Sequence, residues 1–187
     1  MMQAGRDDFE EVVRDANVSM HVASADGSYP NNPDLPVLLY RGAFESTVSD
    51  LGSAVEAVFR EHEWGRSWRN GIFSYHHYHS TAHEVLAVIS GSVRVQLGGP
   101  NGEIFALETG DVVVLPAGTA HKNCGTQGAF QVVGAYPENG PDWDVRRGRP
   151  GERSEAEENI RQVPLPSLDP VYGASGPVKA HWTEESE

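Results

Sequence analysis

Apolar residues are weakly patterned over the first 36 positions, which close on SYPNNPDLP, a Pro- and Asn-rich stretch that reads as an extended, turn-rich arm. Val37-Leu38-Leu39-Tyr40 then forms an apolar run between Pro36 and Gly42, the size of a strand. From 50 to 62 the period changes. Leu51, Ala54, Val55, Val58 and Phe59 share one helical face, with Ser49 as N-cap and Gly65 as stop. Trp64 and Trp68 follow and read as anchors of that helix on a core, with substrate stacking by either as the lesser alternative. Between Ile72 and Tyr136, strand-like segments fall at 72–79, 84–90, 92–97, 103–107, 111–115, 119–123 and 130–136. Glycines punctuate them, and Asn101-Gly102 is a tight-turn signal between two strands. Past Pro137 the chain is polar and Pro/Gly-rich. Ser154 and Glu157 have capping-box spacing before a short helix near 155–162, and VPLPSLDPVYG reads as an extended tail packing along the domain.

Short strands at this spacing predict an all-β barrel or sandwich with a few peripheral helices. The 187 residues fit one domain, 1–187. It divides into an arm and strand (1–49), a helix (50–64), a barrel core (70–137) and an extension packing on the barrel (138–187).

Charge and cysteine content narrow the partners. Asp+Glu 27 against Lys+Arg 14 gives a net charge of −13, which repels phosphate backbones and anionic bilayers, so neither nucleic acid nor membrane is an expected partner. No run approaches the ~18 apolar residues of a membrane span, and MMQAGRDDFEE has neither the basic nor the apolar region of a secretory signal. The one cysteine, Cys124, cannot form an internal disulfide and fits a reducing compartment, so a cytoplasmic protein is expected. Nothing beside it marks an activated thiolate, and it reads as an ordinary small side chain.

The candidate chemistry lies in GIFSYHHYHSTAHEVLAVISG (71–91) and GDVVVLPAGTAH (110–121). Strand alternation puts His77 and His79 on one face together with Phe73 and Tyr75, and puts His76 and Tyr78 on the other. A hairpin-like return after Ser80-Thr81-Ala82 can bring Glu84 beside the two histidines, and His121 would come from a separate strand. Imidazole and carboxylate suit divalent iron, manganese, nickel or zinc, and four such ligands leave coordination positions open for chemistry. His76 and His83 are off-parity and read as supporting or surface residues. Tyr75, Phe73, Tyr136 and Asn123 are candidates to line a pocket, with barrel core as the other reading of the aromatics. Arg94 and Gln96 read as solvent-facing, and no basic cluster lies in the motif region to anchor a dicarboxylate or phosphate. No catalytic residue can be assigned.

These stretches resemble a known family. Gly71-x5-His77-x-His79-x4-Glu84-x6-Gly91 is similar to the first cupin motif at every fixed position, and Gly110-x5-Pro116-x-Gly118-x2-His121 to the second. The asparagine that usually closes the second motif is replaced by Gly125, with Asn123 two residues after His121. SWRNGI, HHYHSTAHEVL, VVGAYP and DPVYG are similar to a group of single-domain bacterial cupins. The resemblance implies a double-stranded β-helix, or jelly roll, and a divalent metal on His77, His79, Glu84 and His121. It also implies small-molecule dioxygenase, isomerase or decarboxylase chemistry, and a homodimer, since cupins commonly pair. A non-enzymatic pocket that binds or senses a small ligand is the alternative, and an oligomeric scaffold a third reading.

Overall fold

The computed structural model describes residues 9–184; the start of the N-terminal arm and the last three residues of the acidic tail lie outside it. Its elements are β1 (Asn17–His21), β2 (Val37–Arg41), α1 (Leu51–Glu61), β3 (Trp64–Asn70), β4 (Glu84–Leu97), β5 (Glu103–Glu108), β6 (Val112–Leu115), β7 (His121–Pro137), α2 (Glu152–Gln162) and α3 (Pro177–His181). The strands form one antiparallel sheet in the order β1-β2-β6-β4-β7-β3, with β5 added on β4. β4 pairs with β6 over Glu84–Ala87, with β5 over Ser92–Leu97, and with β7 along its other edge. Two long strands running through both halves give the cupin jelly roll, with the helices peripheral.

The apolar runs are continuous because both faces of the sheet are covered. Val37, Leu39, Leu86, Val88, Val113, Leu115 and Val132 pack in one cluster with Val93, Val95 and Leu97. The alternate residues, Leu38, Tyr40, Val85, Val112, Val114, Val133 and Ala135, pack in a second cluster with α1 and with Val171, Val178 and Trp182 of the C-terminal extension. Asp169, fully buried, holds that extension: Tyr40 Oη donates to it at 2.6 Å, as do the amides of Val171, Tyr172 and Val178 at 2.9, 2.9 and 3.0 Å.

Several local expectations are corrected. The strands expected at 84–90 and 92–97 are one: Gly91, at φ 67°, sits in a register shift where Ser90 pairs with Gln131 and Ser92 with Gln127, so the extra residues bulge from β7 while β4 runs on. A Cβ there would lie 2.5 Å from the Gln127 carbonyl oxygen. Likewise 119–123 and 130–136 are both part of β7. The stretch 72–79 is not a strand; it is irregular chain with isolated bridges His77↔His121 and Tyr78↔Arg146. The strand in that region is β3, whose Trp68 lies opposite Gly134 and fills the space a Cβ on Gly134 would need, 2.3 Å from the indole. The arm carries β1, an edge strand exposed over most of its length.

Capping also differs. Asp50, not Ser49, caps α1 by accepting from the Ser53 amide at 3.2 Å, and the left-handed turn after the helix falls at Glu63 (φ 62°), while Gly65 is already in β3. α2 begins at Glu152 behind Gly151, so Ser154 and Glu157 lie inside the helix, where Glu157 pairs with Arg153 at 2.7 Å. No helix of the described residues is long and apolar enough to cross a membrane.

Candidate metal centre

Two of the four candidate ligands stand at strand starts. Glu84 opens β4 opposite Leu115, and His121 opens β7 opposite Leu97, so both share the face of the cluster that holds Leu97 and Leu115. The irregular segment brings the other two. His77 exchanges both backbone hydrogen bonds with His121, at 3.2 and 2.9 Å, and the Gly118 amide donates to the His79 carbonyl at 2.8 Å. The parity argument for His77 and His79 therefore works through these bridges, without a strand.

One nitrogen each from His77, His79 and His121 lies within 4.8 Å of the others, and all three residues are buried. Each Nδ1 faces a backbone carbonyl: Tyr75 at 3.0 Å, Asp144 at 2.5 Å and Thr119 at 3.0 Å respectively. A carbonyl only accepts, so each Nδ1 carries the proton and each Nε2 is left with a lone pair. Glu84 Oε2 lies 3.1 Å from His79 Nε2 and 3.2 Å from His121 Nε2. Neither contact is aligned as a hydrogen bond, and this buried oxygen has no such partner.

Acceptors crowd together here with nothing to share, which a buried site tolerates only around a cation. The residues thus fit a divalent ion, a cluster of three histidines and one glutamate. The electrostatics agree. Burial, reinforced by His121, pushes the His77 imidazole down to about 3, which keeps it neutral. Burial opposes a charge on Glu84, yet attraction to His79 holds its carboxyl well below the carboxylate range. Burial likewise opposes a charge on His79, but Glu84 outweighs it and raises the imidazole, so a proton can take the place of the ion.

Above the cluster is a cavity of about 370 Å³, walled by Trp68, Ile72, Leu86 and Tyr136, with Phe73, Trp143 and Val145 at its rim. Tyr136 Oη donates to Glu84 Oε1 at 3.2 Å and accepts from Trp68 Nε1 at 3.0 Å. Oε1 is thereby engaged and Oε2 is left to the histidines. Burial and the Glu84 charge keep this phenol protonated well above its ordinary range.

Of the four expected pocket residues, Phe73 and Tyr136 line the cavity and two do not. Tyr75 stacks on Phe73 at 4.9 Å and carries Arg147 over its ring at 3.7 Å. Asn123 donates to the Ile72 carbonyl at 3.3 Å and accepts from Gly125 at 2.8 Å, tying the irregular segment to β7 at the place where the motif departs from its usual end. His76 packs beside Tyr29. His83 accepts the Ala117 amide at 2.9 Å, and burial lowers it to about 4. Cys124 is half-buried with only weak contacts.

Three residues of consequence carried little signal. Trp68 read first as a helix anchor but forms a cavity wall; Trp64 packs in one cluster with Val55, Val58 and Phe59 of α1 and donates to the Leu168 carbonyl at 2.9 Å. Trp143 and Asp144 stand in the polar extension, where only the alternation Trp143-Asp144-Val145-Arg146 could have marked them. A larger hollow of about 760 Å³ shares no residue with the cluster. Its Arg14 and Arg41 are already paired with Glu45 and Asp111, each at 3.3 Å, so no open ligand set converges there.

Jelly roll, paired motifs and buried cluster define a metal-site barrel of the cupin class. The family pattern described as Cupin domain matches residues 69–131, and the uncharacterized protein YjlB of Bacillus subtilis (strain 168) is 40% identical over 159 residues, 85% of this chain and 93% of that protein. The chain belongs to the cupin family. Among solved structures, an acireductone dioxygenase from Bacillus anthracis with cadmium in its active centre aligns at 18% identity, covering 54% of this chain and 72% of that one, with a TM-score of 0.34. RmlC from Streptococcus suis in complex with dTDP-D-xylose aligns at 12% identity over 67% and 72%, with a TM-score of 0.35. An 11S allergen of Cocos nucifera aligns at 20% identity over 55% of this chain, which spans about a third of its length (34%), with a TM-score of 0.36.

Proposed function

We propose that this cupin is an enzyme that acts on a small molecule at a divalent ion held by His77, His79, Glu84 and His121. The observation that carries the reading is the common state of the three imidazoles. Each donates Nδ1–H to a carbonyl, so three Nε2 lone pairs and the unpartnered Glu84 Oε2 gather at one point. Bound iron, manganese, nickel or zinc would supply Lewis acidity, and iron also redox chemistry. The chain's own residues do the rest. The carbonyls fix the imidazoles, Tyr136 holds Glu84 in one orientation, and the aromatic walls keep bulk water from the floor of the cavity.

The direct test is elemental analysis of protein purified without chelator, followed by turnover assays with each metal supplied in air and under argon. About one equivalent of a transition metal is expected, lost in His77→Ala and His121→Ala, together with turnover of a small organic substrate. Absence of metal in every preparation overturns the metal reading. Stoichiometric metal without turnover overturns the enzyme reading and leaves a binding module.

A further inference from the structure

We infer that the substrate of this site is a flat, uncharged ring compound bearing a polar oxygen, selected by an apolar rim that the segment Trp143–Arg147 helps to build. The inference rests on the reading that the cavity over the histidines is the site of chemistry, and adds the class of molecule that enters it. Six large apolar side chains are exposed among the described residues, and three of them, Phe73, Trp143 and Val145, stand together at this one cavity. Apolar side chains gathered at the mouth of a concave site, over a floor of polar groups, are what a ligand with an apolar body and a polar end requires.

The rim is held in place from behind. Residues 143 to 147 alternate like a strand. On the cavity side, Trp143 stacks flat on Tyr136, with centroids 4.2 Å apart and planes 5° from parallel, Val145 lines the cavity, and Arg147 covers Tyr75. On the other side, Asp144 accepts from the Ser80 amide and hydroxyl at 2.6 and 2.5 Å, and Arg146 donates to Asp144 at 2.7 Å and to Glu155 at 3.1 Å. Arg146 also exchanges backbone hydrogen bonds with Tyr78, each 2.9 Å. The exposed tryptophan and valine are therefore fixed presentations.

The same cavity is poorly made for anions. The cation among its lining residues is Arg69, and its guanidinium is committed to α1: two 2.9 Å bonds to Glu56, one of 3.0 Å to Ser53, and a close pack against Gly52. Arg66, which lies over the rings of Tyr136 and Trp143, is taken by Asp142 at 2.7 Å and by the Pro137 carbonyl at 2.9 Å. A carboxylate or phosphate entering here would displace one of these pairs or find its charge partner in the ion at the floor alone, since the walls and rim offer it no free side-chain cation. An uncharged ring loses nothing, stacks on aromatic walls, and leaves its one polar oxygen for the floor.

The test uses the full chain as purified, with 2-naphthol as the uncharged probe and succinate and glucose 6-phosphate as anionic ones. Binding is read by calorimetry and saturation-transfer NMR. 2-Naphthol should bind with Kd below about 1 mM. Phe73→Ser and Trp143→Ser should each weaken it about tenfold, and Ile104→Ser, an exposed apolar residue on β5, should leave it unchanged. Neither anion should displace it. No binding below about 1 mM, equal affinity in both rim variants, or tighter binding of either anion overturns the inference. Cobalt loading of the same samples, followed by visible absorption, separates the two readings. Cobalt taken up with no naphthol bound removes the ring-compound inference alone, and naphthol bound in a protein that takes up no cobalt removes the metal alone.

Discussion

The hydroxyl of Tyr136 stands between a donor, Trp68 Nε1 at 3.0 Å, and an acceptor, Glu84 Oε1 at 3.2 Å. Tyr136→Phe keeps the ring and its stack on Trp143 but strips one oxygen of a buried carboxylate of its partner. Groups that orient a ligand this way typically contribute tenfold or more to metal affinity. A loss of about tenfold is expected, read by chelator competition, with about 1–2 kcal/mol of stability lost in urea. His83 gives the pH counterpart. Its pKa is about 4 in the folded chain against an ordinary 6.5, so between these values the unfolded chain binds more protons. Stability therefore falls as pH drops from 6.5 towards 4, by up to about 1.4 kcal/mol per pH unit from this residue. In chelator-treated protein, His83→Asn, whose Oδ1 can still accept from Ala117, should flatten that slope by about one proton. His77, lowered to about 3, adds a slope of the same sign over this range and on down to about 3. An unchanged slope contradicts the assignment.

At the scale of elements, the segment that follows β7 acts on the site although it lies beyond the matched motifs. Asp144 gives its carbonyl to His79 and its carboxylate to Ser80, Thr81 and Arg146. Those bonds and the charge pair hold its carboxyl low against the opposing effect of burial. Asp144→Ala should cost about 2 kcal/mol and, by freeing the turn that carries His79, loosen the metal; Asp144→Glu should not recover it. Urea titration and chelator competition read the two effects separately. This dependence was illegible because the sequence signal for a strand is alternation against a core, and 138–150 is held instead by partners distant in sequence, such as Ser80, Tyr78 and Tyr136. The opposite holds for Val112–Leu115 and Val37–Tyr40, where unbroken apolar runs betrayed strands covered on both faces. Gly91 looked like a break because glycine commonly punctuates strands; here β7 bulges opposite it, and β4 continues through. The cluster itself was legible as spacing. His77, His79, Glu84 and His121 could be named together, while Trp68 could not be placed, because nothing in its local pattern tells a wall from an anchor.

At the scale of the molecule, the outer face of the sheet is closed from a distance by Asp169. Tyr40 belongs to β2, the amides of Val171, Tyr172 and Val178 to the C-terminal extension, and one carboxylate joins them with no exposure to solvent. Around it, Trp64 Nε1 donates to Leu168 and Trp182 Nε1 to Pro36, both at 2.9 Å, while Tyr172 Oη accepts from Ala16 at 3.0 Å. The extension thus ties the arm, β2 and β3 together over Val85, Val112, Val114 and Val133. Asp169→Ala would leave a buried hydroxyl and three amides without an acceptor. With each unsatisfied group costing about 1 kcal/mol or more, a loss of about 3–4 kcal/mol is expected in urea unfolding. Asp169→Asn keeps one accepting oxygen and should lose roughly half as much. The metal cluster lies on the other face of the same sheet, so the weakened protein should regain stability when metal is added, in proportion to the logarithm of free metal above its dissociation constant. If metal raises the melting temperature of the parent but not of Asp169→Ala, the extension must shape the site and does more than cover the sheet. Equal shifts in both would show that the clamp stabilises the barrel without acting on its chemistry, which is the outcome the separation of the two core clusters predicts.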